Sequence, residues 1–511
     1  MQYPLVSEYI EAIRSAEDNF DQLINLRPIL DDHGTPIMSG GNFAVVFKMK
    51  DIETNKHYAV KCFVKDQIKR EERYAKISDE LQYISSPYLL HVRYLERELF
   101  VSSNGCNEEE FPVLIMDWVE GLPLDVFLKK HLHNKYQREM LAYRFCKMGA
   151  WLLSQSFAHG DLKPDNILVR ADGSLILVDY DGMYVPSMEG ETAVEIGSPD
   201  FRHPLRTEKD FNEHIDDFSI ASIALSLKAI AIDPKIYGQY ATADRLLFSA
   251  NDYQDIGSSS VLQAIMRMTS DTELSTLASA FLLSLAKNSL SMVSFRVLLL
   301  NEPEKPIILS TKITDEERKN AVVDEFGAEY TADGLKLISI PRTLSFYTIK
   351  PGTMVIGDKA FFSCECLLSI NIPNSVTSIG HNAFCLCSSL QSINTPDSVT
   401  SIESHAFSYC CSLQSINIPD SVTNIGSGTF NGCCKLKHIT LTSPLFHITS
   451  NILFSIDGKV ISCWSNDTHI NIPDGVTSIG DDAFNGCSSL QSINIPNSVT
   501  SIESHAFENC I

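Results

Sequence analysis

One polar run in the first half of the chain combines side chains suited to phosphoryl transfer. Residues 159–169 read His-Gly-Asp-Leu-Lys-Pro-Asp-Asn-Ile-Leu-Val. The carboxylate of Asp161 could orient an acceptor hydroxyl and take its proton, while Lys163 could neutralise charge on the transferred phosphoryl group. The side-chain oxygen of Asn166 could ligate Mg²⁺. An exposed polar loop is the alternative, but chance occurrence of the whole run is remote.

A second carboxylate follows an apolar strand. Residues 175–178 read Leu-Ile-Leu-Val and deliver Asp179, which lies 13 residues after Asn166. Mg²⁺ takes hard oxygen ligands together with nucleotide phosphates, so the two side chains together predict a metal site. Alone, a carboxylate at the end of a strand could be only a turn residue.

Two segments nearer the N-terminus are suited to holding phosphates. Residues 39–46 read Ser-Gly-Gly-Asn-Phe-Ala-Val-Val, and small residues such as Gly40 and Gly41 let backbone N–H groups approach phosphate closely. The strand that follows, His-Tyr-Ala-Val-Lys at residues 57–61, brings Lys61, whose ammonium could hold phosphates. A tight hairpin turn and a solvated lysine are the alternatives, but the spacing of the two segments favours the phosphate role.

Taken in their order along the chain, these segments resemble the eukaryotic-type protein kinase domain over residues 35–300. A bacterial subset is similar in its Gly-x-Phe-Ala-Val-Val loop and its Val-Asp-Tyr-Asp-Gly run, found here at residues 41–46 and 178–182. The resemblance implies ATP and Mg²⁺ as cofactors and Asp161 and Lys163 as catalytic residues. A lysine two residues after the aspartate is the serine/threonine-type arrangement.

The resemblance also assigns residues around the nucleotide. Met116 would be the gatekeeper, and the backbone of Asp117 and Val119 would hydrogen-bond the adenine, although an ordinary strand end would explain this segment as well. The loop residues that would cover the nucleotide are Gly40, Gly41, Phe43, Ala44 and Val46.

The lysine of a kinase site is oriented by a carboxylate from a helix. Within residues 67–77, Glu72 is predicted to orient Lys61, and Glu71 is the alternative. Both glutamates could instead belong to an exposed helix face.

Three positions depart from the kinase pattern. Gly160 stands where many kinases have the arginine that pairs with a phosphorylated activation loop, which predicts activity independent of loop phosphorylation. Asp181 replaces the glycine of the Asp-Phe-Gly motif, and Leu205 replaces the glutamate of Ala-Pro-Glu. None of these removes a metal ligand, the phosphate lysine or the catalytic aspartate, so we expect an active enzyme.

Two further residues are expected near the catalytic loop. Ser198 ends the activation segment and could bond Asp161 and Lys163. Asp216 precedes an apolar helix, in the place of the buried aspartate that braces the catalytic loop of kinases. The alternative for Asp216 is a helix N-cap.

The second half of the chain repeats. The pattern Ala-Phe-x-x-Cys has its cysteine at positions 364, 387, 410, 487 and 510, and position 433 follows it with threonine for alanine. The recurrent spacing of 23 residues indicates a solenoid. Each unit ends in an alternating stretch such as Leu-Gln-Ser-Ile-Asn-Ile at residues 413–418, whose Ser415 and Asn417 are predicted to face outward. An insertion at residues 454–461 contains Asp-Gly, which favours a hairpin turn.

The periodic phenylalanines and cysteines of the repeats are interpreted as core residues, since a small apolar thiol packs well. Metal binding by Cys-x-Cys pairs is the alternative, but structural zinc needs four convergent ligands. Residues 327–511 resemble the BspA-like class of bacterial leucine-rich repeats. The physical inference from the repeats is a curved solenoid whose strand face can bind a partner.

Composition excludes some functions. The chain has 44% apolar and 21% charged residues, as soluble globular proteins do, and a formal net charge of −23. Nucleic-acid binding needs clustered lysine and arginine, so the balance argues against it. We recognise no secretory signal and no apolar stretch long enough to span a bilayer. We therefore expect a cytoplasmic protein with reduced thiols and no membrane anchor.

The predicted fold is an α+β two-lobed protein kinase fold followed by an α/β leucine-rich-repeat solenoid. The expected boundaries are an N-terminal helical extension (1–34), a kinase domain (35–300), a linker (301–326) and a repeat domain (327–511). The predicted function is an ATP- and Mg²⁺-dependent protein serine/threonine kinase whose repeats recruit a partner or substrate. A pseudokinase scaffold and a small-molecule phosphotransferase are the alternatives. The sequence specifies neither the substrate nor the repeat ligand.

Overall fold

The chain forms two compact units, residues 1–304 and 305–511. The structure is a computed structural model, and it describes residues 2–40, 43–66, 69–103, 105–243, 245–268, 270–286, 298–305, 307–443 and 445–510. Within these ranges, no helix combines the length and the apolar character that crossing a membrane requires.

The first unit begins with a lobe built on an antiparallel sheet. Helices α1 (Val6–Arg14) and α2 (Ala16–Asn19) precede this sheet. Its strands are β1 (Leu26–Pro28), β2 (Met38–Gly40), β3 (Ala44–Asp51), β4 (His57–Phe63), β5 (Val92–Phe100) and β6 (Glu110–Asp117). The order is β1-β3-β4-β6-β5, with β2 paired to β3. Helix α3 (Arg70–Leu81) lies between β4 and β5 in the chain and packs on β5.

Side-chain alternation along β3 divides the sheet into two faces. On the outer face Val45, Phe47 and Met49 are fully buried in a cluster that includes residues of α1. The hydroxyl of Tyr9, on α1, donates to the carbonyl oxygen of Phe63 at 2.7 Å. The N-terminal helices therefore cover the outer face and leave the opposite face to the functional site.

The second lobe is mainly helical. Its elements are β7 (Leu122–Pro123), α4 (Leu124–Lys130), α5 (Lys135–Leu152), β8 (Ile167–Val169), β9 (Leu175–Leu177), α6 (Asp217–Ile232), α7 (Lys235–Tyr240), α8 (Ala250–Gln254), α9 (Ser260–Met266) and α10 (Thr272–Ala286). Helix α6 is apolar on almost every side, and a helix of that kind is stable only when surrounded by other elements. Accordingly, nearly all of its residues are buried, and α5 and α10 pack against it.

A small antiparallel sheet, β7-β8-β9, positions the polar residues predicted above. Ile167 pairs with Leu177, and Val169 pairs with Leu175. The polar run ends where β8 begins, and Asp179 follows the end of β9. Because the strands are antiparallel, these two segments meet at the same edge of the hairpin.

The second unit is a solenoid that begins with helix α11 (Asp315–Lys319). One column of its strands contains β10 (Val322–Val323), β11 (Glu329–Tyr330), β12 (Lys336–Ser339), β14 (Val355–Ile356), β16 (Ser378–Ile379), β18 (Ser401–Ile402) and β20 (Asn424–Ile425). Strands β13 (Phe346–Thr348) and β15 (Ser369–Asn371) pair with each other, as do β17 (Ser392–Ile393), β19 (Ser415–Ile418) and β21 (His438–Leu441).

The remaining strands begin just before the insertion and continue beyond it. They are β22 (Phe446–Thr449), β23 (Ile452–Ser455), β24 (Lys459–Cys463), β25 (His469–Asn471), β26 (Ser478–Ile479), β27 (Ser492–Asn494) and β28 (Ser501–Ile502). Strands β23 and β24 pair antiparallel, and Gly458 between them has a φ of +88°. The predicted hairpin turn is confirmed, because an Asp-Gly turn supplies the positive φ that a tight connection needs.

The predicted leucine-rich-repeat solenoid is confirmed. Parallel partners in neighbouring turns are 23 residues apart, as Val355 and Ser378 show. Along β19, Ser415 and Asn417 are partly exposed while Ile416 and Ile418 are buried, so the predicted outward face is also confirmed. Within the described part of residues 322–510, turns rather than helices connect the strands.

Phenylalanine and cysteine ladders fill the solenoid core. The ring of Phe407 stacks between those of Phe384 and Phe430, with centroids 5.3 and 5.9 Å apart. The thiol of Cys410 donates to the carbonyl oxygen of Phe384, and that of Cys433 to the carbonyl oxygen of Phe407, each at 3.1 Å. Each cysteine is thus a small buried group that satisfies a backbone carbonyl of the preceding turn, which confirms the predicted core role.

Candidate active site

Asp161 lies at the centre of a hydrogen-bonded group at the start of the β8–β9 hairpin. Its carboxylate contacts the ammonium of Lys163 at 2.8 Å and accepts from the amide of Asn166 at 3.1 Å. The backbone N–H of Ser198 donates to its other oxygen at 3.0 Å. The predicted contact of Ser198 with Asp161 is thus made through the main chain. These donors hold the carboxylate in one orientation.

Asp216 braces the loop that carries Asp161. Its buried carboxylate accepts from the backbone N–H groups of both His159 and Gly160. It makes no side-chain cap bond to α6, so the structure favours the bracing role over the N-cap. The ring of His159 in turn bonds the carbonyl oxygen of Val178 at 2.9 Å, which ties the loop to the end of β9.

Gly160 occupies a position where no side chain fits. Its φ is +82°, and a Cβ atom there would lie 1.9 Å from the carbonyl oxygen of Gly182. The guanidinium of buried Arg206 donates to the carbonyl oxygen of Gly160 at 2.8 Å, whereas the neighbouring Leu205 is 58% exposed. The absence of arginine at position 160 therefore has a steric cause.

Asp179 follows β9 with a φ of +68° and contacts the ammonium of Lys61 at 2.7 Å. The next residue, Tyr180, is buried, and its hydroxyl accepts from the N–H of Leu90 at 2.8 Å and donates to the carbonyl oxygen of Leu177 at 2.9 Å. This packing of Tyr180 holds the strained residue in place and directs its carboxylate toward the lysine.

Lys61 does not pair with Glu72, so that prediction is wrong. Helix α3 begins at Arg70. Its buried face carries Tyr74, Ile77 and Leu81, which follow one another at intervals of three or four residues. Glu72 lies on the opposite face, where it contacts Lys76 at 2.8 Å and Lys69 at 3.6 Å. Lys61 instead contacts the carboxylates of Asp181, at 2.9 Å, and Asp179.

The charges of the site shift several pKa values. Burial opposes protonation of Lys61, but Asp179 and Asp181 outweigh it and raise the pKa of the lysine. Burial would raise the pKa of Asp179, but Lys61 lowers it overall. Likewise, burial would raise the pKa of Asp161, yet its bond to Lys163 lowers it. At neutral pH the carboxylates of Asp161 and Asp179 are therefore ionised, and the ammonium of Lys61 is charged.

A fourth carboxyl group approaches from the segment before Ser198. Burial, reinforced by the negative charges of Asp181, Asp179 and Asp161, raises the pKa of Glu195 to about 7. The structure brings the predicted site residues together in two pairs, Lys61 with Asp179 and Asp161 with Asn166, and the N–H of Val178 joins the two segments by donating to the carbonyl oxygen of Asn166 at 3.0 Å.

Comparison with known proteins identifies this arrangement. Residues 36–271 match the family model described as a protein kinase domain. The chain carries a protein kinase domain. The chain is similar to serine/threonine-protein kinase sgk-1 of Caenorhabditis elegans, with 24% identity over 189 residues covering 36% of this chain and 39% of that protein. Sgk1-B of Xenopus laevis is 25% identical over 215 residues, 39% of this chain and 47% of that protein. The chain therefore spans less than half of the length of these curated relatives.

The second unit also has relatives. Residues 354–466 and 455–511 match the BspA type leucine rich repeat region, in six copies. A crystal structure of a leucine-rich repeat protein from Eubacterium ventriosum is 22% identical, covering 35% of this chain and 60% of that one with a TM-score of 0.29. The protein kinase domain is thus followed by BspA-type leucine-rich repeats.

Among the remaining predicted residues, those on β3 and β6 lie beside β4, which carries Lys61. Val46 pairs with Lys61, and Ala59 with Met116, in adjacent strands. Ala44 is buried at the start of β3, whereas Phe43 is partly exposed beside the ammonium of Lys65. Gly40 ends β2, and Gly41 lies outside the described residues.

The strand end predicted as a hinge follows β6. Asp117 is the last residue of β6, and the N–H of Trp118 donates to the carbonyl oxygen of His57 at 3.0 Å. The family resemblance assigns the backbone groups of Asp117 and Val119, on either side of Trp118, to adenine, and this assignment stays a prediction. The structure places them at the junction between the two lobes.

Sequence reasoning missed the role of Asp181 and Tyr74. Asp181 stood out only as a departure from the glycine of the kinase pattern, because nothing in the sequence indicated that its carboxylate meets Lys61. The hydroxyl of Tyr74 contacts that carboxylate, and no motif contains this tyrosine. A buried tyrosine needs a hydrogen-bond partner, which is the one signal that could have drawn attention to it.

Proposed function

We propose that the chain is an ATP- and Mg²⁺-dependent protein serine/threonine kinase whose repeats recruit a partner or substrate. The observation that carries the proposal is that the Lys61–Asp179 pair and the Asp161–Lys163–Asn166 group lie at the same end of the β8–β9 hairpin, where the N–H of Val178 donates to the carbonyl oxygen of Asn166 at 3.0 Å. In a kinase these groups bind nucleotide phosphate, bind metal and orient the acceptor hydroxyl.

The donor set fits a nucleotide-bound magnesium ion. Mg²⁺ binds through one or two protein oxygens, with water and phosphate completing its coordination. Asp179 would supply a carboxylate oxygen and Asn166 its side-chain carbonyl oxygen, and Lys61 would hold phosphate oxygens. When bound, the ion neutralises charge on the transferred phosphoryl group.

On the acceptor side, Asp161 has the geometry of a hydroxyl-orienting base. Lys163, Asn166 and the N–H of Ser198 fix its carboxylate, and its lowered pKa keeps it ionised at neutral pH. An ionised carboxylate can accept a hydrogen bond from serine or threonine and then its proton. Lys163, already beside Asp161, would offset the negative charge that develops as the hydroxyl attacks.

A transfer assay tests the proposal. The full chain is incubated with labelled ATP, Mg²⁺ and a generic basic protein, beside Asp161→Asn and Asp179→Asn variants and the exposed-loop control Asp172→Asn. Loss of the base or of the metal ligand should slow transfer by roughly two orders of magnitude or more, whereas the control should keep its activity.

The same assay separates the alternatives. Equal labelling by wild type and both variants would contradict catalysis and support a pseudokinase scaffold. Transfer to a small alcohol but not to protein would support a small-molecule phosphotransferase. Omitting Mg²⁺ or adding a chelator should abolish transfer by the wild type, because Asp179 and Asn166 would hold the ion that offsets phosphate charge.

The strand face of the repeats is proposed as the recruitment surface. Polar side chains recur on it at the outward positions Ser369, Asn371, Ser392, Asn394, Ser415, Asn417, His438, Thr440, Ser492 and Asn494. A regular polar surface on a solenoid offers many hydrogen-bonding groups to a protein partner.

All 14 cysteines are unpaired thiols, which supports a proposed cytoplasmic location, where thiols stay reduced.

A further inference from the structure

Asp181 is more protected from solvent than the metal-site aspartate beside it. Its side chain is 7% exposed, against 45% for Asp179, although both contact the ammonium of Lys61. A buried carboxylate is stable only when it is paired and hydrogen-bonded. Asp181 therefore depends on Lys61 and on the other groups that face it.

Helix α3 supplies those groups. The hydroxyl of the fully buried Tyr74 donates to the Oδ1 atom of Asp181, whose Oδ2 atom accepts from Lys61 at 2.9 Å. The guanidinium of Arg73 donates to the backbone carbonyl oxygen of Asp181 at 3.0 Å. The helix thus binds both the side chain and the main chain of this one residue.

The contacts of the helix carboxylates point the same way. Among the described residues of α3, the ion pairs of Glu72 are with Lys69 and Lys76, on the face directed away from Lys61. A kinase needs its strand lysine coupled to this helix, because the lysine then holds phosphate only when the helix is docked. Here Tyr74 and Asp181 make that connection.

We propose that Asp181 is a positioning residue that holds Lys61 for phosphate binding, with Tyr74 coupling it to helix α3 in place of a helix glutamate. Asp179 would serve both as a partner of Lys61 and as a metal ligand. Among the cations of the described residues, the carboxylate of Asp181 forms an ion pair with Lys61 alone. The inference rests on the proposed kinase function.

The test uses the full chain without nucleotide and measures how fast a small acylating reagent modifies Lys61, by mass spectrometry. The variants are Asp181→Asn, which keeps shape but removes the charge, and Tyr74→Phe, which removes only the hydroxyl. Asp79→Asn, on the exposed face of α3, is the matched control. Lys228, a mostly buried lysine paired with Glu273 and Asp271 in the same unit, is the internal standard.

The rate of Lys61 modification relative to that of Lys228 should rise about tenfold in Asp181→Asn, because a buried ion pair that loses one partner no longer holds the other. The ratio should rise less in Tyr74→Phe and stay unchanged in the control. In the transfer assay, the KM for ATP should rise more than kcat falls in both variants. An unchanged ratio in Asp181→Asn would overturn the proposal. A parallel rise at Lys228 would do so too, because it would mean general loosening.

A larger loss of activity in Glu72→Gln than in Asp181→Asn would likewise overturn it, since the helix glutamate would then be the partner. The nucleotide-free measurement keeps this inference separate from the proposed function. If the wild type transfers no phosphate, the proposed function fails, while Lys61 reactivity still decides the role of Asp181.

Discussion

Individual residues of the kinase domain that depart from the family pattern are explained by their immediate neighbours. Gly160 and Gly182 approach so closely that a Cβ at position 160 would overlap a carbonyl oxygen. The carboxylate of Asp181 is buried because Lys61 and Tyr74 both contact it. These departures are therefore parts of one local arrangement, in which the catalytic loop packs against the segment after Asp179.

Substitution of Gly160 by alanine tests that packing. The change should lower the free energy of unfolding of the first unit by about 2 kcal/mol more than Gly190→Ala, measured by urea denaturation. Gly190 is the matched control because it has the same φ of +82° but nothing within 4 Å of an added Cβ. Equal costs at the two positions would show that backbone strain alone, and not the contact with Gly182, requires glycine at position 160.

At the scale of elements, the β8–β9 hairpin and helix α3 bring the site together. The role of the hairpin in positioning the site was predictable, because the polar run precedes one short apolar stretch and Asp179 follows the next one. The orientation of α3 was not predictable, because Glu72 and Tyr74 lie on opposite faces of a helix and the sequence motif does not determine which face is turned toward Lys61. The sequence therefore led to Glu72, and only the packing of Tyr74 inside the lobe excludes it.

The repeat unit was predictable in greater detail. A period of 23 residues determines which side chains stack in successive turns, so the buried Phe and Cys positions and the outward Ser and Asn positions follow from counting. The donation of the Cys410 and Cys433 thiols to carbonyls of the preceding turn could not be foreseen, since it depends on the spacing between turns in three dimensions.

The phenylalanine ladder should make the centre of the solenoid more sensitive than its end. Phe407→Ala removes a fully buried ring stacked on both sides and should cost about 3–5 kcal/mol of unfolding free energy. Phe507→Ala should cost less, because Phe507 is only partly buried and stacks on Phe484. Thermal or urea unfolding of the two variants measures the difference, and an equal or reversed order would contradict the stacking account.

For the whole molecule, each unit has its own hydrophobic core, as an independently folding domain does. We therefore expect a division of labour in which residues 1–304 carry phosphate transfer and residues 305–511 carry partner recognition.

Separating the units tests this division. Residues 1–304 alone should label a generic basic protein at a rate within about threefold of the full chain, because the proposed active site lies entirely in that unit. The same fragment should lose association with the native partner, measured by pull-down with each unit as bait. A folded but inactive fragment, or partner capture by residues 1–304 alone, would contradict the division.

The central claim is that Lys61, Asp161, Asn166 and Asp179 form a working phosphotransfer site. Its most direct test is the time course of labelled phosphate transfer from ATP to a basic protein by the wild type and by Asp161→Asn, followed by identification of the modified residues. We predict label on serine or threonine, formed roughly a hundredfold more slowly by the variant. Label formed at the same rate by both proteins, or no label with either, would contradict the claim.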